Sequence, residues 1–86
     1  MKKLIIFHYN AFEEYQYWQT TDIDIYNKIN ELIKDICRDP FKGIGKSEPL
    51  KNEYSGYWSR RINLEHRLIY KVTKDELIIA SCRFHY

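Results

Sequence analysis

Two periods organise the first half of the chain. Leu4-Ile5-Ile6-Phe7 is a short continuous apolar run closed by His8, which predicts a first strand. Phe12, Tyr15 and Trp18 then recur every three residues behind Asn10, which can cap free amides, and Glu13 three positions later. That pattern predicts a short helix over about residues 11–19. Thr20-Thr21-Asp22 offers a second cap, and Ile23, Tyr26, Ile29, Leu32, Ile33 and Ile36 follow at helical spacing until Pro40 ends the run. A second, longer helix is expected there, with its apolar stripe packed in the core.

Between Asp39 and Lys51 the residues Pro40, Gly43, Gly45 and Pro49 break both periods, and the segment reads as a loop. Beyond it the period becomes two. Trp58, Arg60 and Ile62 share one parity and Tyr57, Ser59 and Arg61 the other; Leu68, Tyr70 and Val72 alternate with Arg67, Ile69 and Lys71. Lys74-Asp75 marks a turn into a last strand over residues 77–83. The expected order is strand, helix, helix and three hairpin-linked strands. This is an α+β domain with two N-terminal helices on a twisted, mainly antiparallel sheet of about four strands.

The 86 residues predict a single domain, because so short a chain buries only about 60–65% of its unfolded surface and cannot divide that core. Eight Tyr, four Phe and two Trp supply large buried area per residue, which favours a folded domain over a tail. The apolar run at the start stops far short of a signal peptide's h-region of about 7–15 residues. No stretch approaches the roughly 18 apolar residues of a membrane span. Cys37 and Cys82 lack the paired spacing of a zinc site or redox motif. A soluble, reduced, cytoplasmic protein with no membrane association is expected.

The formal net charge of +2 says little about partners, but its distribution says more. From Lys46 onward Lys46, Lys51, Arg60, Arg61, Arg67, Lys71, Lys74 and Arg83 stand among aromatic residues. Such a run is either the solvated surface of a sheet or a face for nucleic acid. Gly45-Lys46-Ser47 imitates a P-loop, but Pro40 occupies the position of the required first glycine, a helix precedes and Pro49 follows; nucleotide binding is excluded. His8, His66 and His85 lie far apart without neighbouring ligands, so no metal site and no cofactor are expected. No serine or cysteine nucleophile is suggested.

A hairpin centred on Leu64 would set Arg61 opposite Arg67, on the face away from Trp58, Ile62 and Leu68. Two adjacent guanidinium groups repel unless an anion joins them. Either Glu48, Glu65 or solvent relieves them, or they await a phosphate, for which arginine forks are well shaped. His85 is flanked by Phe84 and Tyr86, which argues for a docked end of the chain. An odd-length loop at Lys74-Asp75 would put His85 on the face of Arg67, and a two-residue loop would not.

Asp39-Pro-Phe-Lys-Gly-Ile-Gly-Lys-Ser-Glu-Pro-Leu-Lys51, Gly56-Tyr-Trp-Ser-Arg-Arg-Ile62, Glu65-His-Arg-Leu-Ile-Tyr70 and Cys82-Arg-Phe-His-Tyr86 resemble the YoeB toxins. Tyr17-Trp18-Gln19 and Lys28-Ile-Asn-Glu-Leu-Ile-Lys34 extend the resemblance over nearly the whole chain. It implies a RelE-like fold and a toxin of a type II toxin-antitoxin system. The implied activity is that of a ribosome-dependent mRNA interferase, an endoribonuclease cutting messenger RNA in the A site of the bacterial ribosome. It also implies inhibition by a cognate YefM-like antitoxin, and a homodimer. Position by position, Glu48 matches the family's general base, Arg67 its phosphate-stabilising arginine and His85 its general acid. Lys51, Arg61 and Tyr86 match residues that hold the substrate. Two departures are visible. Ser47 stands where the family commonly has Pro, and Phe84 where Tyr is usual; neither removes a catalytic group, but Ser47 could loosen the loop that aims Glu48.

The chemistry so implied needs neither metal nor protein nucleophile, since the RNA 2′-hydroxyl attacks the adjacent phosphate. Tyr86, with Tyr54 or Tyr57, could stack on bases. The rivals are a non-catalytic relative resembling the ParE gyrase-poisoning toxins, and a plain RNA-binding module.

Overall fold

The computed structural model describes residues 3–84. In chain order the elements are β1 (Leu4–Phe7), α1 (Tyr9–Thr21), α2 (Ile23–Arg38), β2 (Glu48–Pro49), a 3-10 turn (Asn52–Tyr54), β3 (Trp58–Arg61), β4 (Arg67–Val72) and β5 (Glu76–Ser81). The strands form one sheet in the order β1-β5-β4-β3-β2. β1 runs parallel to β5 and every other pairing is antiparallel. The expected α+β architecture is therefore present, with five strands where about four were anticipated.

The additional strand is Glu48–Pro49, inside the segment read as a loop. Its two residues pair with Ser59 and Trp58, and Pro49 sits at the sheet edge, where a residue without an amide proton is tolerated. A strand this short has no period to detect.

α2 follows its pattern closely. Asp22 accepts hydrogen bonds from the amides of Asp24 and Ile25, Ile29, Leu32, Ile33 and Ile36 are buried, and Asp39 closes the helix just before Pro40, where the residue preceding a proline leaves helical geometry. α1 departs from its expected start. It begins at Tyr9, with His8 at the N-cap position and no side-chain cap. Asn10 is spent elsewhere, donating from Nδ2 to the carbonyl of Ala80 at 3.0 Å. Ala80 is the extra residue of a β-bulge, because Tyr70 pairs with Ile79 while Ile69 pairs with Ser81. A bulge leaves a backbone group without a ladder partner, and Asn10 supplies one.

The core lies between the helices and one face of the sheet. Trp18, Ile29, Leu32 and Ile36 meet Leu68, Tyr70, Leu77 and Ile79. Phe7, Tyr15 and Tyr26 stack in a ladder with ring centroids 5.1 and 5.0 Å apart, joining β1, α1 and α2. Tyr15 also donates to Asn30 at 2.6 Å. Burial, with Tyr26 beside it, pushes the Tyr15 hydroxyl up to about 12. Among the described residues no helix is long and apolar enough to cross a membrane.

Candidate active site

The opposite sheet face carries the cationic residues. Arg61 pairs with Arg67 across β3 and β4, as the hairpin centred on Leu64 requires, so the two side chains project side by side. Glu48 pairs with Ser59, two residues along β3 from Arg61, and therefore shares that face. Strand spacing and rise put the Cα atoms of Glu48 and Arg67 about 12 Å apart. Arg61, on the strand between them, shares the same face. Lys51 lies elsewhere. The chain past Glu48 runs beside Tyr57, away from Arg61, and exposed Lys51 starts the 3-10 turn there.

The two arginines are held differently. Arg67 Nη1 donates to the carbonyls of Asn63, Leu64 and His66 at 2.9, 3.4 and 3.3 Å, which locks its stem over the hairpin loop. Among the described residues its bonds run through Nη1 only, leaving the rest of the fork available. Arg61 Nε is shielded from solvent and has no hydrogen-bond partner among the described residues. An unsatisfied, shielded donor on a cation costs free energy that an arriving anion would recover.

Arg60, grouped with the basic surface run in the sequence, belongs to the other face. It is 0% exposed and faces Asp35 of α2 at 2.5 Å. Period-two alternation assigns Arg60 to the face of Trp58 and Ile62, but charge obscured the consequence, since arginine is almost never fully buried unless paired. Its partner lay on a distant helix. Asp35 also bridges Arg38, and Arg38 and then Arg60 hold its carboxyl below the usual carboxylate range.

His85 and Tyr86 lie outside the described residues, but the chain is secured up to Phe84. The Phe84 amide donates to His66 Nδ1 at 2.7 Å, and the Arg67 amide donates to the Phe84 carbonyl at 2.9 Å. His66 is buried and packs edge-on against Trp18 at 4.8 Å. Trp18 Nε1 in turn donates to the Cys82 carbonyl at 2.9 Å. Arg83 stacks on Tyr17 and Phe84, at 4.1 and 4.8 Å. His66, Trp18 and Arg83 thus tie the end of the chain to the start of β4. None was given this anchoring role from sequence, because their partners are backbone atoms and rings that only tertiary structure brings near. Phe84 adopts φ +62°, a left-handed conformation that costs a non-glycine residue free energy.

The turn at Lys74-Asp75 is the two-residue form, closed by the Thr73 amide on the Glu76 carbonyl at 2.9 Å. Alone it would put odd-numbered residues at the end of the chain on the wrong face for Arg67. The bulge at Ala80 shifts the register by one residue between Ile79 and Ser81, reversing parity there; the strand ends at Ser81, and His85 lies outside the described residues.

On the same open face Tyr54, Tyr57, Ile69, Ala80, His8 and Asn10 line a cavity of about 370 Å³. Tyr57 lies under Lys71 Nζ at 5.6 Å. Among the described residues no three His, Cys, Asp or Glu side chains gather as metal ligands.

Fold and site together define a small toxin-like α+β domain of the RelE type, in which one sheet face is covered by helices and the other bears a carboxylate beside paired arginines. The family model described as "YoeB-like toxin of bacterial type II toxin-antitoxin system" matches residues 7–86, and the chain belongs to that family. It is 58% identical over 82 residues to Toxin YoeB of Escherichia coli strain K12, covering 95% of this chain and 98% of that one. The structure of the YoeB dimer from Staphylococcus aureus superposes with a TM-score of 0.93 at 49% identity, over the full length of both chains. The heterotetrameric YoeB-YefM toxin-antitoxin complex from the same organism gives 0.91 at 49%, again over both full lengths.

Proposed function

We propose that the protein is a ribosome-dependent mRNA interferase, cutting messenger RNA in the A site without a metal ion. The observation that carries this reading is the register that sets Glu48, Arg61 and Arg67 on the uncovered sheet face, with the shielded Arg61 Nε still unpartnered among the described residues.

Glu48 takes the proton of the 2′-hydroxyl as that oxygen attacks the adjacent phosphorus. Arg67 and Arg61 stabilise the extra negative charge on the phosphoryl oxygens, a preorganised interaction of about 3 kcal/mol per well-placed donor. His85 protonates the departing 5′-oxygen, so the products are a 2′,3′-cyclic phosphate and a 5′-hydroxyl. Lys51 and Tyr86 hold the flanking RNA. The placement of Lys51 beyond β2 suits a contact with a neighbouring phosphate better than with the reacting one. A domain of such small net charge holds free RNA weakly, and the ribosome supplies the alignment that it lacks. In the cytoplasm the activity is restrained by a YefM-like antitoxin, and the free toxin pairs as a homodimer, as the names of the Staphylococcus aureus complexes describe for that relative.

Mapping of 5′-hydroxyl ends on translated message tests this. The native protein should produce discrete ends that are formed at least about a hundred-fold more slowly with Glu48→Ala and with His85→Ala. Intact message with the native protein overturns the reading and favours a non-catalytic relative.

A further inference from the structure

The loop that delivers Glu48 to the open face is wound around a single buried side chain. All five N–H donors of Arg60 are used. Nε donates to the Tyr70 hydroxyl at 3.3 Å; Nη1 donates to Asp35 Oδ2 at 2.5 Å and the Ile44 carbonyl at 3.2 Å; Nη2 donates to the carbonyls of Asp39 and Lys42 at 2.7 and 3.0 Å. Asp35 Oδ2 also accepts the Ile44 amide at 3.1 Å. The chain must pass so close that a Cβ on Gly43 would collide with Asp35 Oδ2 and Arg60 Nη1, and Gly43 has φ +139°.

Tyr70 finishes the mould. Its hydroxyl has one proton, which goes to the Pro40 carbonyl at 2.6 Å, so towards Arg60 and Ser47 it acts as acceptor. Ser47 Oγ, 3.4 Å away, is therefore the donor. This bond joins the residue immediately before Glu48 to the buried network, just where the loop becomes β2 and pairs with Ser59.

We infer that Ser47, through Tyr70 and Arg60, is a positioning residue for Glu48: its hydroxyl clamps the last loop residue before β2 and so sets the aim of the carboxylate. The inference rests on the reading of Glu48 as the general base. Ser47 does not touch the reacting atoms, and it is not part of the core, so removing its hydroxyl should loosen the approach of Glu48 and leave the fold intact.

The test compares Ser47→Ala, Ser47→Thr and Tyr70→Phe with the native protein in single-turnover cleavage on programmed ribosomes. Ser47→Ala should slow the chemical step about five-fold, the scale of one ordinary hydrogen bond, at unchanged half-saturating concentration. Ser47→Thr, which keeps the hydroxyl, should restore the rate. In a Glu48→Gln background Ser47→Ala should have no further effect. A native rate in Ser47→Ala, or an equal loss in the Glu48→Gln background, overturns the inference while leaving the proposed activity standing. Amide hydrogen exchange reports independently of activity. Ser47→Ala and Tyr70→Phe should quicken exchange over residues 43–48 and leave α2 unchanged; unaltered exchange there overturns the clamp even if the native protein cleaves nothing.

Discussion

Arg60 and Arg61 are neighbours in sequence and opposites in environment. The first is fully buried with every donor satisfied by a carboxylate, three carbonyls and a phenol. The second stands beside Arg67 on the uncovered face with its Nε unpartnered among the described residues. One strand alternation separates a cation that organises the fold from a cation on the face proposed to meet the RNA phosphate. Basic residues in a strand must therefore be assigned by face before they are assigned a role.

The largest expected effect comes from breaking that comparison on its buried side. Arg60→Ala leaves Asp35 as a buried carboxylate stripped of one cation and strands the carbonyls of the loop. Removing one partner of a buried pair costs about 3–5 kcal/mol, measurable by chemical denaturation. Arg61→Ala should change stability by less than about 0.5 kcal/mol, since it removes a like-charge neighbour of Arg67 and, among the described residues, no side-chain hydrogen bond or ion pair. Equal losses in the two variants would erase the distinction.

Acid sharpens the same contrast by a smaller amount. Arg38 and Arg60 lower the Asp35 carboxyl in the folded protein relative to about 3.9 in the unfolded chain. The stabilisation is thus complete above that unfolded value and is lost as pH falls through it toward the folded value. Thermal melts from about pH 6 to about pH 3 should show a loss that Asp35→Asn, already destabilised at neutral pH, does not share in full. A parallel acid slope in the variant would assign the loss to other carboxylates.

Much of this was legible in the chain. α2, its Asp22 cap, the hairpin about Leu64 and the Arg61–Arg67 pairing follow from period and capping chemistry. β2 was invisible because two residues carry no periodicity. The start of α1 was misplaced because Asn10 answers to the bulge at Ala80, a partner 70 residues away. Glu48 and Arg67 were identified by resemblance, and only the strand register puts them on one face. Ser47, the departure that threatened the aim of Glu48, proves to have its own anchor within reach, and Arg60 was misread because its counter-ion lies on another element. Periodicity reads a residue's face; it does not read its partner.

The smallest effect concerns the two thiols. Cys82 is buried, with its Sγ 3.6 Å from the Ala11 carbonyl, and burial, with Glu14 nearby, pushes its thiol up to about 12. Cys37 is exposed on α2. A thiol reagent at neutral pH should label Cys37 alone in the folded protein, and label Cys82 only on unfolding. Labelling of both at once would contradict the burial of Cys82 against α1.

The claim that the open face is the reactive one is tested most directly by single-turnover cleavage of message on programmed ribosomes, comparing native protein with Arg67→Ala of demonstrated native stability. Native protein should cleave to a 5′-hydroxyl end, and Arg67→Ala should be slower by about 10²–10³, the cost of one preorganised donor to the developing charge. Cleavage at the native rate without Arg67, or none by the native protein, would contradict the account.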